Sequence, residues 1–283
     1  MGDIILTEEC LEGFEDDLIE KEASRHTVQK YMHCAGALAA YAGGRALTKE
    51  LAIEWKGELI KKGLAPATVN GYIAAANALF AYLGGVSDGM HIKSLRIQRK
   101  TFTDTSRELT KDEYGRLVRA ARAKGDLRLA LLFETICATG IRVGEVKYIT
   151  IEAACAGRAN ISLKGKVRTI LIPRGLCRKL KTYAKENGII KGQIFVTRSG
   201  APLSRKQIWK DMKSVCDAAH VEPEKVYPHN LRHLFARTFY NSTKDVVKLA
   251  DVLGHSDLST TRVYLISTEQ EHRDALERLK LLC

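Results

Sequence analysis

Apolar residues recur every three or four positions over most of the chain, a spacing that predicts helices. Leu11, Phe14 and Leu18 form one such face in a helix over 7–22, with Thr7 as its N-cap and acids in its first turn. Val28, Tyr31, Ala35, Leu38 and Ala42 form the next, from Ser24 to a stop at Gly43-Gly44. Leu51, Trp55 and Leu59 follow Thr48 as far as Gly63. Val69, Ile73, Ala76, Phe80 and Leu83 follow Pro66 as far as Gly84-Gly85. Four short helices with one apolar face each predict a compact bundle.

The second half opens with Thr110 and Glu113 at capping-box spacing and Leu109 as a staple residue before them. Helices are predicted over 111–123 and 126–138. The second of these, DLRLALLFETICA, is apolar enough to be a central core helix. The period then changes. Two β-rich runs, 160–163 and 167–172, flank Lys164-Gly165-Lys166 and read as a hairpin that Pro173 ends. Leu176, Leu180 and Tyr183 mark another helix, and 193–197 reads as a third strand. Ser204 and Gln207 are spaced as a second capping box, before a helix bearing Ile208, Met212, Val215 and Ala219. The fold class is mainly α with a small antiparallel β-sheet (α+β). Three segments follow: a helical domain over 1–88, a basic linker over 89–108, and a second domain over 109–283.

Charge narrows the partner. The 283 residues carry a formal net charge of +12, which points to a polyanion. Nucleic acid is the first choice. An anionic membrane is the weaker one, since no apolar run approaches a spanning length and no basic amphipathic helix stands out. Within the linker, Lys93, Arg96, Arg99 and Lys100 fall in a run without acids. Such a run is either a solvated tether or a strap along a phosphate backbone. The 7 cysteines are scattered and make no CxxC pair. That argues against a zinc site or disulfide framework and for a reducing compartment. The acidic N-terminus does not read as a signal peptide.

The candidate chemistry lies in 228–264. His229 and Arg232 are three apart and share a helix face. His255 follows Leu253-Gly254, where glycine ends a helix and turns the chain. Tyr264 lies beyond it in a short segment opened by Ser259 and Thr260, residue types that cap helices. Taken singly, these residues are ordinary: a solvated face, a helix-terminal histidine, a packed tyrosine. Together they suit an anionic phosphate, which arginine clamps, histidine bonds and a phenol oxygen can attack. Upstream, the Gly-punctuated turn over 138–146 presents a second arginine, Arg142.

The ordered motifs ATGIRVGEV, HNLRH and LGHSDLSTTRVY resemble the catalytic set of the tyrosine recombinases, the phage-type integrase and Xer group. The resemblance covers nearly the whole chain and is strongest over 135–264. It implies an N-terminal core-DNA-binding domain and a C-terminal catalytic domain. It implies Tyr264 as a nucleophile forming a 3′-phosphotyrosyl bond, with Arg142 and Arg232 clamping the phosphate. His229 would accept a proton and His255 would donate a bond to a phosphate oxygen. Lys164, or its rival Lys166, would protonate the leaving 5′ oxygen, and Glu145 and His233 would support the set. No metal and no cofactor are required, because arginine and lysine do the charge work. The implied partners are a double-stranded recombination site and further copies of the chain, a dimer per site and a tetramer in synapse. A last helix over 269–283, capped by Ser267 or Thr268, would join the copies through Ala275, Leu276, Leu279 and Leu282; ordinary intramolecular docking is the alternative. The short hairpin favours integration and excision of a mobile element over Xer-like dimer resolution. A type-IB-like topoisomerase and a non-catalytic DNA-binding protein are the competing classes. The expected place is the cytoplasm, at the nucleoid of a bacterial or archaeal cell.

Overall fold

The computed structural model describes residues 4–84, 90–97, 105–163, 166–197, 199–255, 257–262, 264 and 269–279. The chain divides into two compact units, Met1–Arg99 and Lys100–Cys283. The division falls inside the stretch expected to link two domains. Among the described residues the chain is mostly helical, with one two-stranded antiparallel sheet. Among the described residues no helix is long and apolar enough to cross a membrane.

The first unit holds α1 (Glu8–Glu20), α2 (Arg25–Ala42), α3 (Lys49–Lys61) and α4 (Pro66–Tyr82). Thr7, Ser24 and Thr48 accept hydrogen bonds from the N–H groups of Cys10, Thr27 and Leu51, so each cap satisfies an otherwise unpaired donor. Pro66 opens α4 at a position where a missing N–H costs nothing. The predicted faces meet in one core that includes Phe14, Leu38, Trp55, Ile73 and Phe80. Residues 90–97, without regular secondary structure, lie against this unit through Met90, Ile92 and Leu95. Asn70 and Asn77, two turns apart on α4, each accept from and donate to the backbone of this segment, at Leu95 (2.7 and 3.0 Å) and Ile92 (2.9 and 3.0 Å).

The second unit opens with α5 (Lys111–Ala123), whose capping box is complete: Thr110 Oγ1 takes the Glu113 N–H at 3.1 Å and Glu113 returns to the Thr110 N–H at 2.8 Å. Next comes α6 (Leu127–Thr139), capped by Asp126. Leu129, Leu132, Phe133 and Ile136 make it the central core helix. A 3-10 turn (Val143–Tyr148) and α7 (Ile151–Ala156) lead into the hairpin of β1 (Arg158–Leu163) and β2 (Lys166–Leu171). The register pairs Ile161 with Arg168 and Leu163 with Lys166. Then follow α8 (Arg174–Glu186), α9 (Arg205–Lys213), α10 (Cys216–Ala219), α11 (Pro228–Thr243), α12 (Val246–Leu253), α13 (Leu258–Arg262) and α14 (Glu269–Arg278).

Three local expectations are corrected. Residues 193–197 are not a third strand. Ile194 and Phe195 are buried, but their backbone is satisfied by turns, by isolated bridges from Gln193 to Thr150 and Val196 to Pro202, and by Arg128, which donates to the Val196 carbonyl at 2.8 Å. Ser204 caps α9, but Gln207 does not complete a box, because its carboxamide donates to Asp211 instead. Ser259 and Thr260 lie within α13 rather than before it. Asp257 precedes that helix and accepts from the Ser259 N–H at 2.8 Å. Ser267 and Thr268, expected to cap the last helix, lie outside the described residues.

Gly140 ends α6 in the left-handed region at φ 64, and a Cβ there would collide with the Phe235 ring. Gly140→Ala is therefore expected to cost about 2–4 kcal/mol, from left-handed strain plus overpacking. Urea unfolding checks this, and an unchanged midpoint would refute the packing argument.

Candidate active site

Arg232 is 2% exposed, although its charge is permanent. It sits in the second turn of α11, which Pro228 starts. Its partners are the ends of two other helices. Nη1 donates to the Gly140 carbonyl after α6, and Nη2 donates at 2.9 Å to the Leu253 carbonyl closing α12. Terminal carbonyls lack intrahelical donors and carry the negative end of the helix dipole, so they suit a buried cation. None of its hydrogen-bond partners among the described residues is a carboxylate. Burial lowers its pKa, and a hydrogen bond with Tyr264 opposes that.

That bond runs from Arg232 Nε to Tyr264 Oη at 3.4 Å. Tyr264 is 6% exposed and packs with Ala236, Leu249 and Leu253. Three histidine rings surround it, with centroids 4.4 Å (His233), 5.8 Å (His255) and 5.9 Å (His229) from its own. Burial, then nearby positive charge, lowers the pKa of all three. His229 moves below its usual 6.5, and His233 and His255 each fall to about 4. His255 Nε2 lies 2.9 Å from Arg232 Nη2, and Nδ1 lies 2.8 Å from Thr261 Oγ1. Arginine only donates. Nε2 therefore accepts, and the ring proton resides on Nδ1, donated to Thr261.

Arg142 follows Gly140-Ile141 and stands at the start of the 3-10 turn, its side chain 46% exposed. Buried Glu145 accepts from its backbone N–H at 2.7 Å and from its guanidinium at 3.1 Å. The charges of both Arg142 and Arg232 lower His229 and His255.

Lys166 is the first residue of β2, while Lys164 lies outside the described residues. In the first unit, Lys93 and Arg96 are exposed on the segment that Asn70 and Asn77 grip; Arg99 and Lys100 lie outside the described residues. Two residues were not anticipated. Arg168 donates to the same Leu253 carbonyl as Arg232 and lies 3.4 Å from Glu145. Its signal was an arginine in register with buried Ile170, two positions on. Thr261, fully buried beside His255, is the second; it directly follows Ser259 and Thr260, the residues read as caps, and nothing in its type set it apart.

A model described as the phage integrase family matches residues 107–271. Tyrosine recombinase XerA of Pyrococcus furiosus is 29% identical over 203 residues, 69% of this chain and 70% of that protein. Tyrosine recombinase XerD of Halalkalibacterium halodurans is 32% identical over 162 residues, and the chain spans about half of it (52%). Among solved structures, a lambda integrase dimer bound to a COC′ core site has TM-score 0.73 at 18% identity, covering 93% of this chain and 77% of that one. A lambda integrase tetramer bound to a Holliday junction has TM-score 0.70 at 18% identity, covering 90% and 76%. These likenesses establish a shared fold.

The histidine cluster has a pH signature. Its members are depressed bases, neutral in the folded chain, and on unfolding they take up protons below about pH 6.5. The unfolded state then binds more protons, so stability rises with pH through this window and is lost as pH falls from 6.5 toward 4. The urea midpoint is expected to drop between pH 7 and 5, and to drop less in a His233→Gln, His255→Gln double variant. Equal slopes for the two proteins would contradict the assignment.

Proposed function

The chain belongs to the phage integrase family, and from that membership we propose that it is a site-specific DNA recombinase acting through a covalent tyrosyl link. The observation that carries this reading is the Arg232–Tyr264 hydrogen bond within one chain. A phenol can attack phosphorus only when its oxygen is placed and its proton has somewhere to go, and this contact fixes the oxygen beside a guanidinium proposed to hold the phosphate.

Tyr264 Oη attacks the scissile phosphorus and its proton passes to His229, a neutral base at neutral pH. The bond to the 5′ oxygen breaks, and Lys164 or Lys166 supplies that oxygen's proton. Arg142 and Arg232 hold the non-bridging oxygens, where a planar fork serves better than a point charge. As those oxygens take the Arg232 donors, His255 Nε2 is released from Arg232; the other tautomer, with Nδ1 accepting from the Thr261 hydroxyl, then places the ring proton on Nε2, where it can be donated to the phosphate. Glu145 orients Arg142, and His233 packs Tyr264. A 5′-hydroxyl of a partner strand then reverses the reaction. The phosphotyrosyl bond conserves the energy of the broken one, so the scheme calls for no metal and no cofactor.

The partners in this reading are duplex DNA and further copies of the chain. The net positive charge and the exposed Lys93 and Arg96 support the first. Leu276 and Leu279, 67% and 57% exposed on and just past α14, support a contact between copies, as do the dimer and tetramer of lambda integrase. The place of action is the cytoplasmic nucleoid. Two roles are open to the site. The hairpin, paired up to Leu163 and Lys166, favours integration and excision of a mobile element; the long match to XerA favours dimer resolution.

Trapping on nicked duplexes drawn from the DNA around the gene and from the chromosomal terminus should give a covalent adduct that Tyr264→Phe abolishes. Mapping the attachment point separates the two roles. Failure of the wild-type chain to form an adduct on either set would leave a non-catalytic DNA-binding protein. Relaxation of arbitrary supercoiled plasmid by the monomer would favour a topoisomerase. Arg142→Lys keeps the charge but loses the fork, so cleavage should fall at least about 100-fold while DNA binding is nearly retained. An unaltered cleavage rate would remove Arg142 from the clamp.

A further inference from the structure

We propose that Arg168 is a positioning residue for strand cleavage: it ties the β1–β2 hairpin to Arg142 through Glu145 and to Arg232 through the Leu253 carbonyl. The inference rests on the phosphotyrosyl reading of the site. Arg168 lies on β2 opposite Ile161, with its side chain 12% exposed. Nη1 donates to the Leu253 carbonyl, the atom that also receives Arg232 Nη2. Nη2 stands 3.4 Å from Glu145 Oε2, and the other oxygen of that carboxylate holds the Arg142 guanidinium. One guanidinium thus touches both supports of the two arginines proposed to clamp the phosphate.

Stability alone does not explain this residue. Nε and Nη2 of Arg168 are closed to solvent and have no hydrogen-bond partner among the described residues. Burial lowers its pKa to about 10; Glu145 opposes that, while the charges of Arg232 and Arg142 add to it. Removing one member of a buried pair is costly when it strands the other charge, but here Glu145 keeps Arg142 and the Leu253 carbonyl keeps Arg232, so loss of Arg168 strands neither. The surroundings are nonetheless shaped to admit this one: a Cβ on Gly254, where the chain leaves α12, would strike the Arg168 side chain. The same strand begins at Lys166, one of the two candidate proton donors. Arg168 therefore sets the distance between the donor hairpin and the phosphate clamp.

Single-turnover cleavage of the trapped site, nicked beside the scissile phosphate, tests this in the full chain. Arg168→Met should unfold at the same urea concentration as wild type or a higher one, bind the site with little change, and cleave about 100-fold more slowly, the cost of a misplaced clamp. Arg168→Lys, which keeps one contact, should recover part of that rate. Adding Glu145→Gln to Arg168→Met should slow cleavage no further than the worse single change, because both act through one carboxylate. The proposal is overturned if Arg168→Met cleaves at the wild-type rate, if its stability falls in step with its rate, or if the two substitutions multiply. An inactive wild-type chain would instead sink the functional reading beneath it.

Discussion

The site depends on burying a charge that cannot be given up. A lysine or histidine in the place of Arg232 could shed its proton; a guanidinium cannot, so the fold must answer it with electron-rich atoms. It does so with the spent ends of α6 and α12, whose last carbonyls converge on one side chain. This makes two turns part of the chemistry. Gly140 and Gly254 both adopt left-handed backbone at those ends; a side chain at Gly140 would strike the Phe235 ring, and one at Gly254 would strike Arg168. The same guanidinium seats Tyr264 and fixes which nitrogen of His255 carries hydrogen.

A charge balance follows from these contacts. Arg142, Arg168 and Arg232 are cationic, the histidines are neutral, and Glu145 is the carboxylate among them. The arrangement retains a positive surplus, of which Arg142 is the solvent-accessible part. A phosphodiester brings one negative charge and gains a second as a nucleophile closes on phosphorus, so the surplus is matched better to the crowded intermediate geometry than to the resting diester. Preorganised charge of this kind lowers a barrier without reorganising during the reaction.

Much of this was legible in the chain. The caps Thr7, Ser24, Thr48 and Thr110 announce themselves by residue type and by the apolar period that follows. The α6 core helix is visible because few positions in it are polar. His229, Arg232, His255 and Tyr264 could be grouped because their spacings match helix faces and a glycine turn. Other features depend on distant neighbours and leave weaker local traces. The importance of Arg168 comes from Glu145 and Leu253, far away in sequence. Residues 193–197 have the composition of a strand, but a strand needs a paired edge, and turns and Arg128 satisfy the backbone first. Gln207 had the right spacing for a cap and a better partner in Asp211. Asn70 and Asn77 interrupt no apolar period on α4, so nothing local points to the segment 90–97 that they hold.

Tyr264 and the guanidinium it bonds belong to the same polypeptide, so on the proposed reading each copy would carry its own means of cutting. In an assembly mixing intact and tyrosine-less chains, an intact neighbour would have no spare phenol to lend, and the number of severed strands would count the intact members. On that reading, any cooperation between copies would work on timing, by deciding when the buried oxygen meets its phosphorus.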